Sequence, residues 1–380
     1  MNKFALLILL VLGFFSFSGL AQENFQKTLQ VNGRIHYDYE FLKREKSSDW
    51  FNGNEFRRVY ISFSGKIAPK IKYKVETDIS TGEISFRDMY VQYLAGKYGN
   101  FGIGSMTEPT GLDMATSSKY SPFAERAMLT AMQNFRWGSG LHYDNFHLFD
   151  GKAGVQLALT DNGSHLSGFK DTELEKGMNF VARFTGVPLQ NKENNTLLHL
   201  GINYAHRPYN NLKFRPENHM GNKYTYLMPG ADNRTFVGFE LAANYQSFSL
   251  QTEYKTEEGN NDLGLDYSAS SYYVMGSYFL TGEHRPYKKG AFGRVKPKKD
   301  ISNGGYGAFE VLLRFSDFTP SEDLILVNPT QPDQIKNITF GLNWYLTSHA
   351  RIMYNYVITD DHNDILGKLK GHLIRMQIDF

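Results

Sequence analysis

Between Ser105 and Trp137 the sequence sets three cations, Lys119, Arg126 and Arg136, among the apolar residues Met106, Leu112, Met114, Phe123, Met128 and Leu129. A guanidinium can hold an oxyanion through two parallel hydrogen bonds, and an ammonium adds a point charge. Such groups bind anions without transforming them. The apolar neighbours would have little use in a loop dangling in water. Folded inward against the wall of a hollow structure they would be buried, and the cations would narrow and line the passage left open. A second reading pairs Arg126 with Glu125 or Glu108, so that it braces the loop. Tyr120 and Phe123 read as loop packing.

The elements needed to hold such a loop are strands. In "LQVNGRIHYDYEF", Leu29, Val31, Ile35, Tyr37, Tyr39 and Phe41 share one face, and Gln30, Asn32, Arg34, His36 and Asp38 the other. "FRRVYISFSGK" sets Val59, Ile61 and Phe63 against Arg58, Tyr60, Ser62 and Ser64. "KIKYKVETDIS" repeats the pattern, with Lys72, Lys74, Glu76 and Asp78 on its polar face. Strict alternation marks a strand with two unlike faces. Further segments near 85–96, 99–107, 138–146, 151–160, 177–187, 195–208, 232–244, 247–257, 264–282, 303–317, 335–346, 350–360 and 368–380 bring the total to about sixteen. An aromatic fraction of 15% with 35 glycines and no long apolar run suits a barrel whose faces meet lipid and water. A soluble β-sandwich would need one face as a dry core, and the polar face here is too charged for that.

Short links such as Ala68–Lys70, Gly96–Asn100 and Thr347–His349 alternate with longer ones at Leu42–Asn54, Asp161–Lys176, Arg207–Ala231 and Asp317–Gln334. Outer-membrane barrels have short periplasmic turns and long external loops, so both termini are expected on the periplasmic side. The closing strand "GHLIRMQIDF" places Ile374, Met376, Ile378 and Phe380 outward, and it must pair with the first strand because lipid tolerates no open sheet edge. Residues 1–21, with Lys3, an apolar run from Phe4 to Phe17, and Gly19 and Ala21 before Gln22, read as a cleaved signal peptide. Residues 22–380 form the barrel domain, and no Cys follows the cleavage point to carry a lipid.

Parity sends Arg34, Arg58, Lys72, Lys74, Arg183, Lys255, Arg314, Arg351 and Arg375 into the lumen. It sends Asp38, Glu76, Asp78, Asp88, Glu240, Glu253, Glu310 and Asp379 there too, so nine cations against eight acids give no net field by counting. Selectivity would then depend on where the cations cluster. The run Arg285–Lys299, with seven Lys or Arg and no acid, falls on the periplasmic side; it reads as a solvated turn or a contact with a neighbouring subunit.

The formal net charge of +2 speaks against nucleic acid as a partner. There is no G-x-S-x-G elbow, no H-E-x-x-H and no phosphate-binding glycine loop, so no enzyme is expected. His142 and His147 fall on opposite strand faces, and no calcium-loop spacing occurs. No metal, cofactor or catalytic group is expected.

"EPTGLDMATSSKYSPFAERAM" (Glu108–Met128), "YFLTGEHRPYKKGAFGRVKP" (Tyr278–Pro297), "GGYGAFEVLLRFS" (Gly304–Ser316) and "ITFGLNWYLTSHARIMYNYV" (Ile338–Val357) resemble the phosphate-selective porin O/P family of bacterial outer-membrane porins. That resemblance implies a trimer of sixteen-stranded barrels, a third loop folded into each lumen, and basic side chains guiding small anions such as phosphate or polyphosphate. The reading is therefore all-β: a transmembrane antiparallel β-barrel and passive anion channel in outer-membrane lipid and lipopolysaccharide. Its anion-binding candidates are Lys119, Arg126 and Arg136 on the loop, with Arg34, Arg58 and Lys74 on the wall. A general, weakly selective porin and a structural or adhesive barrel with a blocked lumen are the alternatives.

Overall fold

The computed structural model describes residues 25–132, 137–161, 177–208, 211–362 and 365–380; the expected signal peptide and Arg136 lie outside them. The chain runs through β1 (Gln30–Arg44), β2 (Trp50–Ala68), β3 (Ile71–Asp78), β4 (Ser85–Leu94) and β5 (Asn100–Thr107) before its third long connection. It continues through β6 (Trp137–Leu148), β7 (Ala153–Asp161), β8 (Met178–Asn191) and β9 (Thr196–Arg207). A small hairpin, β10 (Asn211–Phe214) and β11 (Tyr224–Leu227), precedes β12 (Ala231–Tyr245), β13 (Phe248–Asn261) and β14 (Tyr267–Phe279). A second, β15 (Tyr287–Lys288) and β16 (Ala291–Phe292), precedes β17 (Ala308–Pro320), β18 (Ile335–Tyr345), β19 (Ala350–Asp360) and β20 (Leu369–Asp379).

All strands except the two hairpins form one closed antiparallel barrel of sixteen, in which every barrel strand pairs with its sequence neighbour and β20 returns to β1. The closing register runs from Arg34 opposite Asp379 to Arg44 opposite Leu369. Phe380 extends it, donating its N–H to Gly33 O (3.1 Å) while Gly33 N–H donates to Phe380 O (3.0 Å). Its ring lies on Gly33 so closely that a Cβ there would fall 2.4 Å from Phe380 Cζ. Only a residue without a side chain lets the two ends meet in this way.

Alternation does the rest. Along β20, Ile374, Met376, Ile378 and Phe380 are exposed on the outer face, while Arg375, Gln377 and Asp379 are buried within. The outer positions of β2, β5, β13 and β18 carry Phe63, Ile103, Tyr254 and Phe340, also exposed. This is the apolar band that lipid requires, and the strand pairing behind it supplies the backbone hydrogen bonds that hydrocarbon cannot.

Turns at 69–70, 95–99, 149–152, 192–195, 246–247 and 346–349 crowd one end of the barrel, together with Phe380. The connection read as Leu42–Asn54 is shorter than expected: β1 and β2 extend into it as a paired ribbon, with Lys43 opposite Trp50, leaving a turn of residues 45–49. One long segment, 280–307, leaves from the short-turn end.

Substituting Gly33→Val should lower the fraction that refolds into a heat-modifiable, fast-migrating form in detergent. Adding Phe380→Ala should restore part of that fraction, because the ring that the new side chain strikes is then gone. No rescue would mean that the contact does not limit closure.

Candidate functional site

Strict parity would turn Arg57 toward lipid if Arg58 faces the lumen. The wall avoids this with a bulge: His36 pairs with Arg58 and Tyr37 with Phe56, so Arg57 has no partner and both arginines can turn inward. The same device recurs two strands on. Val75 pairs with Met89 and Thr77 with Phe86, which brings both Arg87 and Asp88 inside. Each bulge thus adds a charged group to the lumen that alternation alone would have placed outside. Arg87 donates to Asp78 (2.7 Å) and lies 4.6 Å from the Trp137 ring centroid, and Trp137 Nε1 donates to Asp88 (2.9 Å).

The third connection, described over 108–132, crosses the lumen and fastens to the opposite wall. Leu112 N–H and Asp113 N–H donate to the Glu253 carboxylate of β13 at 3.0 and 2.7 Å. Ala124 N–H donates to Asn355 Oδ1 (2.8 Å), Asn343 Nδ2 to Pro122 O (2.8 Å), and Gln377 Nε2 to Lys119 O (3.0 Å). Phe123, Ala127 and Leu129 pack with Tyr273, Met275 and Leu312 of β14 and β17. At Gly111 (φ 141°) the chain passes so near the wall that a Cβ would lie 2.2 Å from Glu253 Oε2.

Two further segments enter, and sequence reasoning missed both. The β10–β11 hairpin buries Leu212, Phe214, Tyr226 and Met228 against Met128, Tyr267 and Phe318. At its tip Glu217 takes hydrogen bonds from Arg314 and Thr339 of the wall (2.9 and 2.7 Å). From the opposite end, part of the basic run within 280–307 folds inward as well, against its reading as a solvated turn, while Lys288, Lys289, Lys296, Lys298 and Lys299 stay exposed. Asn244 Nδ2 donates to Arg285 O (2.8 Å), Arg183 Nη2 to Gly290 O (2.8 Å), and Phe292 N–H to Thr116 Oγ1 of the third loop (3.2 Å). Phe292 packs with Leu112, Leu197 and Ala242, which is why the aromatic in the middle of this basic run is buried.

These three insertions leave a cavity of about 640 Å³ against the wall of β1 to β4. Arg34, Arg57, Arg58, Lys74 and Arg87 face it from that wall. Arg126, Lys213, Arg215, Lys223 and Lys289 face it from the insertions. The carboxylates lining it are Glu76, Asp88, Glu108, Glu125 and Glu217, so ten cations stand against five acids. Ion pairs form on both sides of the lumen, and on the far wall they match one to one: Arg183 with Glu240 (2.7 Å) and Arg234 with Glu257 (2.7 Å). The near balance along the sequence thus conceals an uneven distribution across the lumen.

Of the expected residues, Arg34, Arg58, Lys74 and Arg126 meet at this cavity. Arg34 donates to Ser118 Oγ (2.8 Å) and pairs with Glu76 (3.2 Å); Lys74 pairs with Asp88 (2.7 Å). Arg126 braces the loop, through partners other than the expected Glu125 or Glu108: it donates to Asp113 O and to Thr116 O (2.8 Å), with Asp113 Oδ1 3.5 Å away. Lys119 stands apart, at a smaller crevice with Arg294, His349 and Asp379 near the short-turn end. Burial, and after it the charge of Arg34, holds its ammonium below the ordinary lysine range. Glu125 accepts both bonds of an Arg57 fork (2.9 and 3.0 Å) and a third from Arg375 (2.8 Å). Burial pushes its carboxyl up, but Arg57, Arg58 and Arg375 outweigh this and hold it well below the usual carboxylate range. Among the described residues, no group of three or more His, Asp or Glu is placed to hold a metal ion.

The sequence model described as phosphate-selective porin O and P matches residues 29–380. Porin O of Pseudomonas aeruginosa is 27% identical over 93% of this chain and 88% of its own length. Among solved structures, an anion-selective porin from Comamonas acidovorans superposes with a TM-score of 0.62 at 13% identity, covering 93% of this chain and all of that one. The trimer form of OmpT, an outer-membrane protein of Vibrio cholerae, gives 0.58 at 12% identity over 94% of this chain and 100% of its own.

Each of the two backbone bonds to Glu253 contributes about 0.5–1.5 kcal/mol even to an uncharged acceptor. Glu253→Ala should therefore loosen the loop and raise single-channel conductance in planar bilayers. Unchanged conductance would mean that the apolar cluster alone fixes the loop.

Proposed function

Because the chain belongs to the phosphate-selective porin O and P family, we propose that its lumen passes oxyanions such as phosphate by passive diffusion, in preference to cations. It is an outer-membrane porin, a channel and not an enzyme. The observation that carries the preference is the ten-to-five excess of cations around the cavity, on the side of the lumen that the inserted segments leave open. A cleft lined by one sign of charge and walled by protein raises the local concentration of the opposite ion. Arg34, Arg57, Arg58 and Lys74 form the wall of the proposed pathway, Arg126 supports the loop that narrows it, and Lys119 meets the anion toward the short-turn end. Guanidinium forks match planar or tetrahedral oxyanions better than halides. The family's own description names phosphate, which supports it as the solute.

The trimeric form of OmpT supports a homotrimer for this chain. The exposed apolar band supports seating in outer-membrane lipid and lipopolysaccharide, after export and cleavage behind Ala21.

In planar bilayers under a potassium chloride gradient, the reversal potential should lie toward the chloride equilibrium value, and added phosphate should reduce the chloride current. Arg58→Ala should move the reversal potential toward zero. Weak selectivity without phosphate block would favour a general diffusion pore, and the absence of current a blocked barrel.

A further inference from the structure

We propose that Glu125 is a tethered anion: its carboxylate occupies an oxyanion site built by Arg57, Arg58 and Arg375, and a permeating oxyanion advances by exchanging with it. This rests on the anion-channel reading and adds to it a residue that sets specificity.

The geometry of the cradle is that of a ligand site. Both Glu125 oxygens are held by one Arg57 fork, at 2.9 and 3.0 Å, which is how a guanidinium clamps a free carboxylate or phosphate. Arg375 adds a bond of 2.8 Å to the same oxygen that Arg57 Nε holds, and Arg58 Nη1 stands 4.0 Å from it. Three guanidiniums thus converge on two oxygens. Arg375 does not need Glu125 for neutrality, because Asp38 already holds it at 2.6 and 2.5 Å. With Asp38 on Arg375 and Glu125 on Arg57, an incoming oxyanion gains the cradle by taking the place of the Glu125 carboxylate.

The loop around Glu125 is fixed and the side chain is not. Ala124 N–H donates to Asn355, Ala124 O accepts from Arg375, and Glu125 O accepts from Arg314 (3.1 Å). The carboxylate shares Arg375 with these anchors but otherwise lies at the rim of the cavity, where it is 12% exposed beside Arg57 and Arg58. It can swing into the open space without moving the backbone.

A pore needs binding strong enough to admit a solute and weak enough to release it. Three bare guanidiniums would retain an oxyanion. A resident carboxylate offsets that affinity, since each incoming ion must replace bonds already made. It also discriminates: an anion with two or more oxygens can take over the fork, and a halide cannot.

The test measures block of the chloride current through the full-length barrel in planar bilayers, with folding checked by heat-modifiable migration. The half-blocking concentration of inorganic phosphate should fall about tenfold in Glu125→Gln and Glu125→Ala, a change of about 1.4 kcal/mol. Formate, with one charge and two oxygens, should also block more strongly, whereas bromide, with one charge and no second oxygen, should not. Unchanged or weaker phosphate block in the variants would overturn the inference. Equal strengthening of formate and bromide would overturn it too, because a removed charge alone would explain that result. If neither variant folds, Glu125→Asp withdraws the carboxylate from the fork while keeping its charge. It should tighten phosphate block to a smaller degree, and no tightening would again count against exchange. If the wild-type channel neither prefers anions nor is blocked by phosphate, the channel reading itself fails and the inference falls with it.

Discussion

A peptide group cannot cross lipid without a hydrogen-bond partner, and this one demand organises the molecule. It requires that β20 meet β1, which the chain satisfies with a register from Arg34–Asp379 to Arg44–Leu369 and a glycine under the ring of Phe380. A closed sheet has only two faces. Once lipid claims one, charged residues at the level of the apolar band are sent to the other. The lumen therefore begins crowded with groups of both signs, and the rest of the fold decides which of them are cancelled.

That decision is made by insertion. The third loop and the β10–β11 hairpin fasten to the wall of β13, β14 and β17 to β20, the loop through backbone amides on Glu253 and apolar packing on Tyr273 and Leu312. The segment around β15–β16 enters from the other end and fastens to β8, β9 and β12. The far wall spends its charges on these contacts and on buried pairs such as Arg183 with Glu240. The near wall pairs charges as well, Arg34 with Glu76 and Lys74 with Asp88, but two bulges add Arg57 and Arg87 to it, and around the cavity cations outnumber acids. An asymmetric lumen results, with its open space and its excess positive charge on the same side.

The barrel was legible because a period of two survives in each strand, and sixteen such segments leave few other folds. Arg34, Arg58 and Lys74 were legible for the same reason. Arg57 was not, because a bulge shifts phase without leaving a mark in composition: "FRR" reads identically with or without the extra residue. The entry of 211–230 and of part of 280–307 was hidden because both are polar or basic, and charge runs are usually solvated. A faint signal existed in Phe292 and Tyr287, aromatics inside a run of lysines that a solvated turn would not need. Arg126 was foreseen as either ligand or brace, and only the carbonyls of Asp113 and Thr116 choose the brace. Such contacts join residues too near in sequence to signal a tertiary role.

The central claim is that ions travel along the β1–β4 side and meet a positive field there. The chain has no native cysteine, so single cysteines can report on the path. Ser118, bonded to Arg34 at the cavity, and Ser271, buried on β14 with its hydroxyl on Asp317 O, make a suitable pair. Thiol reagents added to the bath should modify Ser118→Cys quickly, faster with an anionic than with a cationic reagent of equal size, while Ser271→Cys stays unreactive in the folded protein. Faster reaction of the cationic reagent at Ser118→Cys, or ready modification at Ser271→Cys, would contradict the account.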